Sequence, residues 1–285
     1  MCRFGQNKES VADRGEHSTD LEYLLEKIYR ERDFDFREYK ETTLTRRLGR
    51  RLRAQGVETY ADYERILDKD RSEYDKLFKD LTINVTSFFR DDWAFRALEE
   101  LVLPALMYKK VNTGNGIRIW SAGCASGEET YSIAMLISEA LKAERSERQV
   151  SIIGTDIDTE ALKRAQEGFF SSKEVEGIPA ALRKRYFEAE NQGFRVKTRL
   201  GQLVGFEVHN LSGDLPYHDI DLVVCRNLLI YFRPGLQERV LQGFHRALKG
   251  GGFLLLGKAE TPVGETKRQF HCVDKKARLY SKEIR

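Results

Sequence analysis

Two segments of this 285-residue chain carry residue types at spacings that suit a nucleotide-like ligand. In the first, the short apolar run Ile117–Trp120 leads into Ser121-Ala122-Gly123-Cys124-Ala125-Ser126-Gly127-Glu128-Glu129, which opens the helical pattern of Glu128–Lys142. A strand, a loop of small residues and a helix start make the nucleotide-binding corner of doubly wound folds, because small residues let the backbone approach a ligand. Taken alone, Gly123 and Gly127 would serve a tight turn equally well. In the second segment, the run Val150–Gly154 ends in Thr155-Asp156-Ile157-Asp158. A carboxylate at the end of the second strand accepts hydrogen bonds from ribose hydroxyls. Asp156, nearer the strand end, is assigned to the ribose, and Asp158 is read as the N-cap of the next helix. The loop departs from the G-x-G-x-x-G fingerprint of dinucleotide sites. Glu128 and Glu129 at the helix start would also repel a pyrophosphate. A cationic sulfonium with a zwitterionic amino-acid tail tolerates those carboxylates, so the pattern favours S-adenosyl-L-methionine over NAD.

The elements that must position these residues fall into two parts. From Thr19 to Trp93 the signals are helical: Leu21, Leu24, Leu25 and Ile28, then Leu44, Leu48 and Leu52, then Tyr60, Tyr63, Ile66 and Leu67, then Leu77, Phe78, Leu81 and Ile83. This predicts a small all-α N-terminal domain over residues 19–91, after a polar tail at 1–18 expected to be disordered. A helix over Asp92–Tyr108 and a turn-rich break after it form a linker through residue 114. Beyond it, strands (Ile117–Trp120, Val150–Gly154, Asp221–Cys225, Phe253–Gly257) alternate with helices (Glu128–Lys142, Thr159–Glu167, Gly235–Leu248), and Phe270–Tyr280 is read as a closing strand pair. That alternation predicts a doubly wound α/β domain over 115–285 with a parallel sheet. Phe194, Val196, Thr198 and Leu200 alternate with basic residues, Gly201 follows, and then Val204, Phe206 and Val208. This reads as an antiparallel β-hairpin subdomain inserted at 188–210.

Hydrophobic residues make up 41% of the chain and charged residues 33%, enough for a packed core under a charged surface. The net charge of +3 is too small to mark a nucleic-acid binder. Cys2, Cys124, Cys225 and Cys272 form no C-x-x-C pair and no zinc spacing, so no metal is expected and a reducing compartment is. Cys124 and Cys225 read as small buried hydrophobes. No leader-like run and no span of ~20 apolar residues is present, so a cytoplasmic protein without membrane insertion is expected. A monomer is the expected state.

Four motifs, in order, resemble the chemotaxis receptor methyltransferase (CheR) family. They are Asn84-Val85-Thr86-Ser87-Phe88-Phe89-Arg90, Trp120-Ser121-Ala122 with Gly127-Glu128-Glu129, Gly154-Thr155-Asp156-Ile157-Asp158, and Cys225-Arg226-Asn227-Leu228-Leu229-Ile230-Tyr231-Phe232. The resemblance runs from about Tyr23 to the C-terminus. It implies a class I S-adenosylmethionine methyltransferase domain behind a helical leader. Asn84, Thr86 and Arg90 then match a loop reaching over the cofactor, with Arg90 at the active site. Ala122, Glu129, Asp156, Asn210, Leu211, Arg226 and Asn227 match cofactor contacts, and Tyr231 matches the tyrosine beside the transferred methyl group. Where the family commonly has Pro after its Glu-Glu pair, this chain has Thr130, which changes only a conformational preference. Read by themselves, Arg90 also suits a surface ion pair, Tyr231 a core tyrosine, Asn227 a turn cap, and Phe88 and Phe89 the core.

The implied reaction is esterification of glutamate carboxylates on the cytoplasmic signalling helices of chemoreceptors. A glutamate with a reference pKa of ~4.3 is ionised at neutral pH and needs no general base, only orientation by Arg90 or Tyr231. The segment Thr45–Arg53 carries five arginines. At ~100° per residue Arg46, Arg50 and Arg53 share one helix face, opposite Leu44, Leu48 and Leu52. A solvated face is the usual outcome of such a run. A single local sign in a nearly neutral chain points instead to an acidic partner, and in the family a basic helix of this domain faces the receptor's methylation helix. The family's inserted hairpin can dock a receptor's C-terminal tether, and the stretch between Phe187 and Arg195 is short here. Rival readings are an RNA methyltransferase, a nicotinamide oxidoreductase and a receptor-binding scaffold. Against them stand the lack of a basic stripe interleaved with aromatics, the degenerate glycine loop and the complete motif set.

Overall fold

The computed structural model describes residues 11–32, 34–82, 84–108 and 116–284, with side chains from residue 20 onward. It divides into two compact units, Met1–Ile83 and Asn84–Arg285.

The first unit holds α1 (Val11–Arg32), α2 (Glu41–Gln55), α3 (Tyr60–Lys69) and α4 (Ser72–Leu81). The apolar stripes read from the sequence are its core: Leu24, Ile28, Leu44, Leu48, Leu67 and Leu77 are at most 2% exposed. Thr59 caps α3 by accepting the Asp62 N–H at 3.1 Å. Phe34, Phe36 and Phe78 meet edge to face beside this core. One charge is buried within it. The Glu73 carboxylate accepts Arg51 Nη2 at 2.5 Å, Tyr63 Oη at 2.8 Å and Gln55 Nε2 at 2.8 Å. Because α1 starts at Val11, the expected tail through residue 18 is shortened at its C-terminal end. A polar run can continue a helix whose later turns are anchored by packing, which composition alone does not reveal. Residues 1–10 of that tail lie outside the described residues.

The second unit opens with α5 (Asp92–Ala97), a π-helical turn at Leu98–Val102, and α6 (Leu103–Tyr108), where the sequence predicts one regular helix. The turn-rich break after it lies, through residue 115, outside the described residues. Then come β1 (Ile117–Ala122), α7 (Glu128–Ala143), β2 (Val150–Asp156), α8 (Thr159–Glu167), β3 (Phe169–Ser171), α9 (Ala180–Tyr186), β4 (Phe187–Glu190), β5 (Gly193–Val196), α10 (Thr198–Gly201), β6 (Val204–Val208), β7 (Ile220–Cys225), α11 (Pro234–Ala247), β8 (Leu248–Leu256), α12 (Thr266–Gln269), β9 (Phe270–Asp274) and β10 (Leu279–Lys282). Seven strands form one sheet in the order β6-β2-β1-β7-β8-β10-β9. The strands from β6 to β8 run parallel, and β10 is antiparallel to both its neighbours. Every residue of β7 is buried, as a central parallel strand covered on both faces requires.

The inserted hairpin differs from its expected form. β4 and β5 make it, joined through residues 191–192, and β3 adds a third strand. Thr198–Gly201 is a helical turn. Val204–Val208 pairs with β2 at the edge of the main sheet, Ile152 opposite Val204 and Asp156 opposite Val208. A half-covered edge strand alternates in hydropathy just as a hairpin strand does, so periodicity could not assign its partner.

Candidate functional site

The site lies where β1, β2 and β7 end. At the end of β1, Ala122 is fully buried, and the N–H groups of Gly123 and Cys124 both donate to the Thr155 carbonyl, at 2.7 and 3.0 Å. This ties the loop after β1 to the end of β2. Gly123 and Gly127 have φ of 77° and 91°. A Cβ at Gly123 would stand 2.5 Å from Leu228, and one at Gly127 2.9 Å from Ala165. Both glycines therefore serve positive φ and close approach of neighbouring protein segments.

Asp156 terminates β2. Its Oδ2 accepts the Ala125 N–H at 2.8 Å and its Oδ1 the Asp158 N–H at 3.0 Å. A carboxylate offers about four lone-pair sites in all, so acceptor capacity remains beyond these backbone bonds, as a diol would require. Burial raises its pKa against these hydrogen bonds. Asp158 caps α8, its Oδ1 accepting from Glu160 and Ala161 at 3.0 Å each. Its other oxygen accepts Asn84 Nδ2 at 2.6 Å, which places Asn84 beside the end of β2. Asn210 and Leu211 follow β6, whose end is tied to β2 by the His209 N–H on the Asp156 carbonyl at 2.9 Å. Leu211 is buried, and Asn210 accepts from the Ser212 N–H and hydroxyl.

At the start of α7, Glu128 and Glu129 diverge. Glu128 is buried and takes the Ser126 hydroxyl on both oxygens. Glu129 accepts Ser121 Oγ at 2.9 Å and Arg226 Nη1 at 3.3 Å. Burial raises the pKa of both, opposed at Glu129 chiefly by the Arg226 charge. Arg226, whose side chain is 1% exposed, also donates through Nη2 to Asp91 Oδ2 at 2.7 Å and to the Arg90 carbonyl at 2.9 Å. Its guanidinium thus joins the end of β7, the start of α7 and the segment carrying Arg90. In that segment Phe89 and Asp91, either side of Arg90, have φ of 51° and 59°. The Phe89 N–H is held by Ser132 Oγ at 3.0 Å, and Arg90 Nη1 donates to the Val85 carbonyl at 2.5 Å. Thr86 and Arg90 are partly exposed and Val85 is 71% exposed. Phe88 is core, packed edge to face on Phe170 and Phe187.

Asn227, at φ 61°, starts the loop after β7. The half-buried Tyr231 ends a 3-10 turn at Leu229–Tyr231. The structure thus gathers Asn84, Ala122, Glu129, Asp156, Arg226 and Asn227 around the ends of neighbouring strands, with the Arg90 segment tied to them through Arg226. Arg46, Arg50 and Arg53 belong to the first unit, exposed on α2 opposite the buried Leu44, Leu48 and Leu52. The other two arginines of α2 face inward, Arg47 to the Asp80 carbonyl at 2.5 Å and Arg51 to Glu73. Asp91, Ser121 and Glu260 escape sequence reading. Asp91 stands next to Arg90, which could have drawn attention to it, and Ser121 lies inside the quoted Trp120-Ser121-Ala122 motif without a role assigned to it, whereas nothing in the sequence marks Glu260.

S-adenosylmethionine fits this site on three observations. The Asp156 carboxylate offers two acceptors at the strand end. Among Asp91, Glu129, Asp156, Arg90 and Arg226, three carboxylates face two guanidiniums, an excess of negative charge suited to a cationic ligand. The buried Glu128 sits in the first turn of α7, where a phosphate would otherwise bind.

The model of the CheR methyltransferase SAM binding domain matches residues 84–279, and that of the CheR methyltransferase all-alpha domain matches residues 19–82. A chemotaxis protein methyltransferase of Borreliella burgdorferi is 32% identical over 257 residues, covering 88% of this chain and 91% of that protein. Chemotaxis protein methyltransferase 2 of Pseudomonas aeruginosa is 34% identical, covering 86% of this chain and 87% of that one. An uncharacterized 104.1 kDa protein of Rhodobacter capsulatus is 37% identical over 81% of this chain, which spans only 24% of its length. With both domain models matched in order over nearly the whole chain, this protein belongs to the CheR methyltransferase family and is an S-adenosylmethionine-dependent methyltransferase.

Proposed function

We propose that this chain methylates glutamate side chains on the cytoplasmic helices of chemoreceptors, forming methyl esters for sensory adaptation in the cytoplasm. The observation that carries this reading is the tethering of the Arg90 segment, through Arg226, to the end of β7 and to Glu129 at the start of α7. It brings a guanidinium-bearing loop to a cofactor-type corner. A guanidinium is the natural partner for a planar carboxylate.

S-adenosylmethionine supplies an electrophilic methyl group on a sulfonium and leaves as S-adenosyl-L-homocysteine. Asp156 would hold its ribose hydroxyls. Ala122, Asn210, Leu211 and the backbone of Arg226–Asn227 would line the remainder, with Asn84 and Thr86 closing over it. The Glu129 side chain would meet the positive end of the amino-acid tail. The buried Arg226 side chain is occupied by Asp91, Glu129 and the Arg90 carbonyl, so its task is to hold the loop. The substrate glutamate arrives ionised, so no proton has to be removed. Arg90 and Tyr231 orient its carboxylate, and such orientation contributes on the order of 7–11 kcal/mol to rate acceleration. Arg46, Arg50 and Arg53 offer the acidic receptor helix a complementary face.

Receptor-containing membranes incubated with methyl-labelled S-adenosylmethionine and this protein should acquire label on the receptor that base releases as volatile methanol. Base-stable label, or label on RNA in place of the receptor, would overturn the proposal.

A further inference from the structure

The loop from Arg226 to Phe232 carries Asn227 and Tyr231, yet it belongs to no long helix or strand and its shape needs support from elsewhere. Asn227 occupies the left-handed region at φ 61°, which asparagine adopts more readily than other non-glycine residues, usually as a single residue in a turn. The support comes from a residue near the end of β8. The Glu260 side chain, only 5% exposed, accepts the Asn227 N–H at 3.0 Å and the Gly257 N–H at 2.6 Å on Oε2, and the Ile230 N–H at 3.3 Å on Oε1. From the other side, Gln237 of α11 donates to the carbonyls of Leu229 at 2.7 Å and Phe232 at 3.1 Å. The loop's N–H groups therefore converge on one carboxylate while two of its carbonyls are held by one amide. The fit is close: a Cβ at Gly257 would stand 2.6 Å from Glu260 Oε2 and 2.7 Å from the Asn227 nitrogen.

An ionised carboxylate collecting several backbone N–H groups is a strong, charge-assisted arrangement. It is also directional, since each N–H must point at one of two oxygens. We infer that Glu260 is a positioning residue for methyl transfer: its carboxylate sets the backbone of Asn227–Ile230 and through it the placement of Asn227 and Tyr231 at the reacting centre. This rests on the reading of the site as a carboxyl methyltransferase centre.

Glu260→Gln keeps size and shape but turns an amide NH2 group toward backbone N–H donors at one of the two positions. Gly257→Ala drives a methyl group into the same contact from the opposite side and leaves Glu260 in place. With S-adenosylmethionine and receptor membranes, both variants should lose roughly 10- to 100-fold in kcat, as misplacement near 1 Å does. Receptor KM should stay within about twofold, because uniform binding of the receptor is untouched. The far-UV spectrum and melting temperature of Glu260→Gln should remain near wild type. Unchanged kcat in a folded Glu260→Gln protein, or a rise in KM with kcat kept, overturns the inference. If Glu260→Gln does not fold, Gly257→Ala decides by the same criteria. If the wild-type chain binds S-adenosylmethionine but labels no receptor, the substrate reading fails. Cofactor Kd then decides the role of Glu260: a severalfold rise in Glu260→Gln supports it and an unchanged Kd overturns it.

Discussion

At Arg90 the backbone and the side chain are held by different partners. The carbonyl is fixed by the buried guanidinium of Arg226, and the side chain returns to the Val85 carbonyl through one nitrogen, leaving its other donors for a ligand. The positive φ values of Phe89 and Asp91 show how the chain must bend to present Arg90. Such strain persists only where surrounding contacts over-determine it, here Ser132 on Phe89 and Arg226 on Asp91. If Arg90 orients the substrate carboxylate, Arg90→Ala should lower kcat by roughly 100-fold. A single-turnover assay at saturating cofactor measures this, and unchanged turnover together with unchanged cofactor affinity would exclude the role.

Among the elements, α2 shows how a helix separates residues of one type by their direction. Its five arginines are alike in sequence. Spacing of 3.6 residues per turn sends Arg47 and Arg51 toward α4, where they meet the Asp80 carbonyl and the buried Glu73, and leaves Arg46, Arg50 and Arg53 exposed. The inward pair is structural, because a buried carboxylate such as Glu73 is tolerated only with a charge partner and hydrogen bonds. The outward three carry the substrate proposal. Reversing Arg46 and Arg50 to glutamate should slow receptor methylation by about tenfold at low ionic strength, with the difference shrinking as salt rises. Cofactor Kd, measured in parallel by calorimetry, should not change. Equal rates at low salt would return these arginines to a merely solvated face.

For the molecule as a whole, ionisation at the site opposes burial. Burial raises the pKa of Glu128, Glu129, Asp156 and Glu260 above the ordinary carboxylate values. A carboxyl whose folded pKa is raised binds its proton more tightly folded than unfolded, so these four favour the fold as pH falls through their folded values. His209, lowered by burial, acts in the opposite sense, its contribution being present above the ordinary histidine value and lost as pH falls. Protonating Glu129 removes charge that suits a cationic ligand and leaves Arg226 with the Asp91 carboxylate and the Arg90 carbonyl. Cofactor affinity should therefore fall on acidification before the fold does. Parallel titrations of cofactor Kd and of the urea midpoint between neutral and mildly acidic pH test this, and Glu129→Gln should flatten the Kd profile. Loss of both together would mean that unfolding, not site protonation, governs binding.

Local pattern made the helices of the first unit, the alternation of strands and helices in the second and the motifs at the strand ends legible from sequence, because these depend on spacing along the chain. Asp158 illustrates this: a capping residue at a helix start acts on its own neighbours. Pairing across long separations was not legible. Val204–Val208 alternates like any half-buried strand, and only its partner β2 places it in the main sheet. The expected boundary of the polar tail failed for a related reason, since helix continuation depends on the anchoring of later turns. Arg226 was legible as a motif residue, but its bonds to Asp91, Glu129 and the Arg90 carbonyl span chain separations of 97 to 136 residues. Glu260 lies 33 residues from Asn227 with nothing between them to signal contact. Short-range sequence pointed to the small-residue loop after β1 and to Asp156, and the family resemblance added Asn84, Arg226 and Asn227. Which of them meet a ligand and which hold one another in place was decided only when the sheet brought the strand ends together, because a buried charge takes whatever partners the packing supplies.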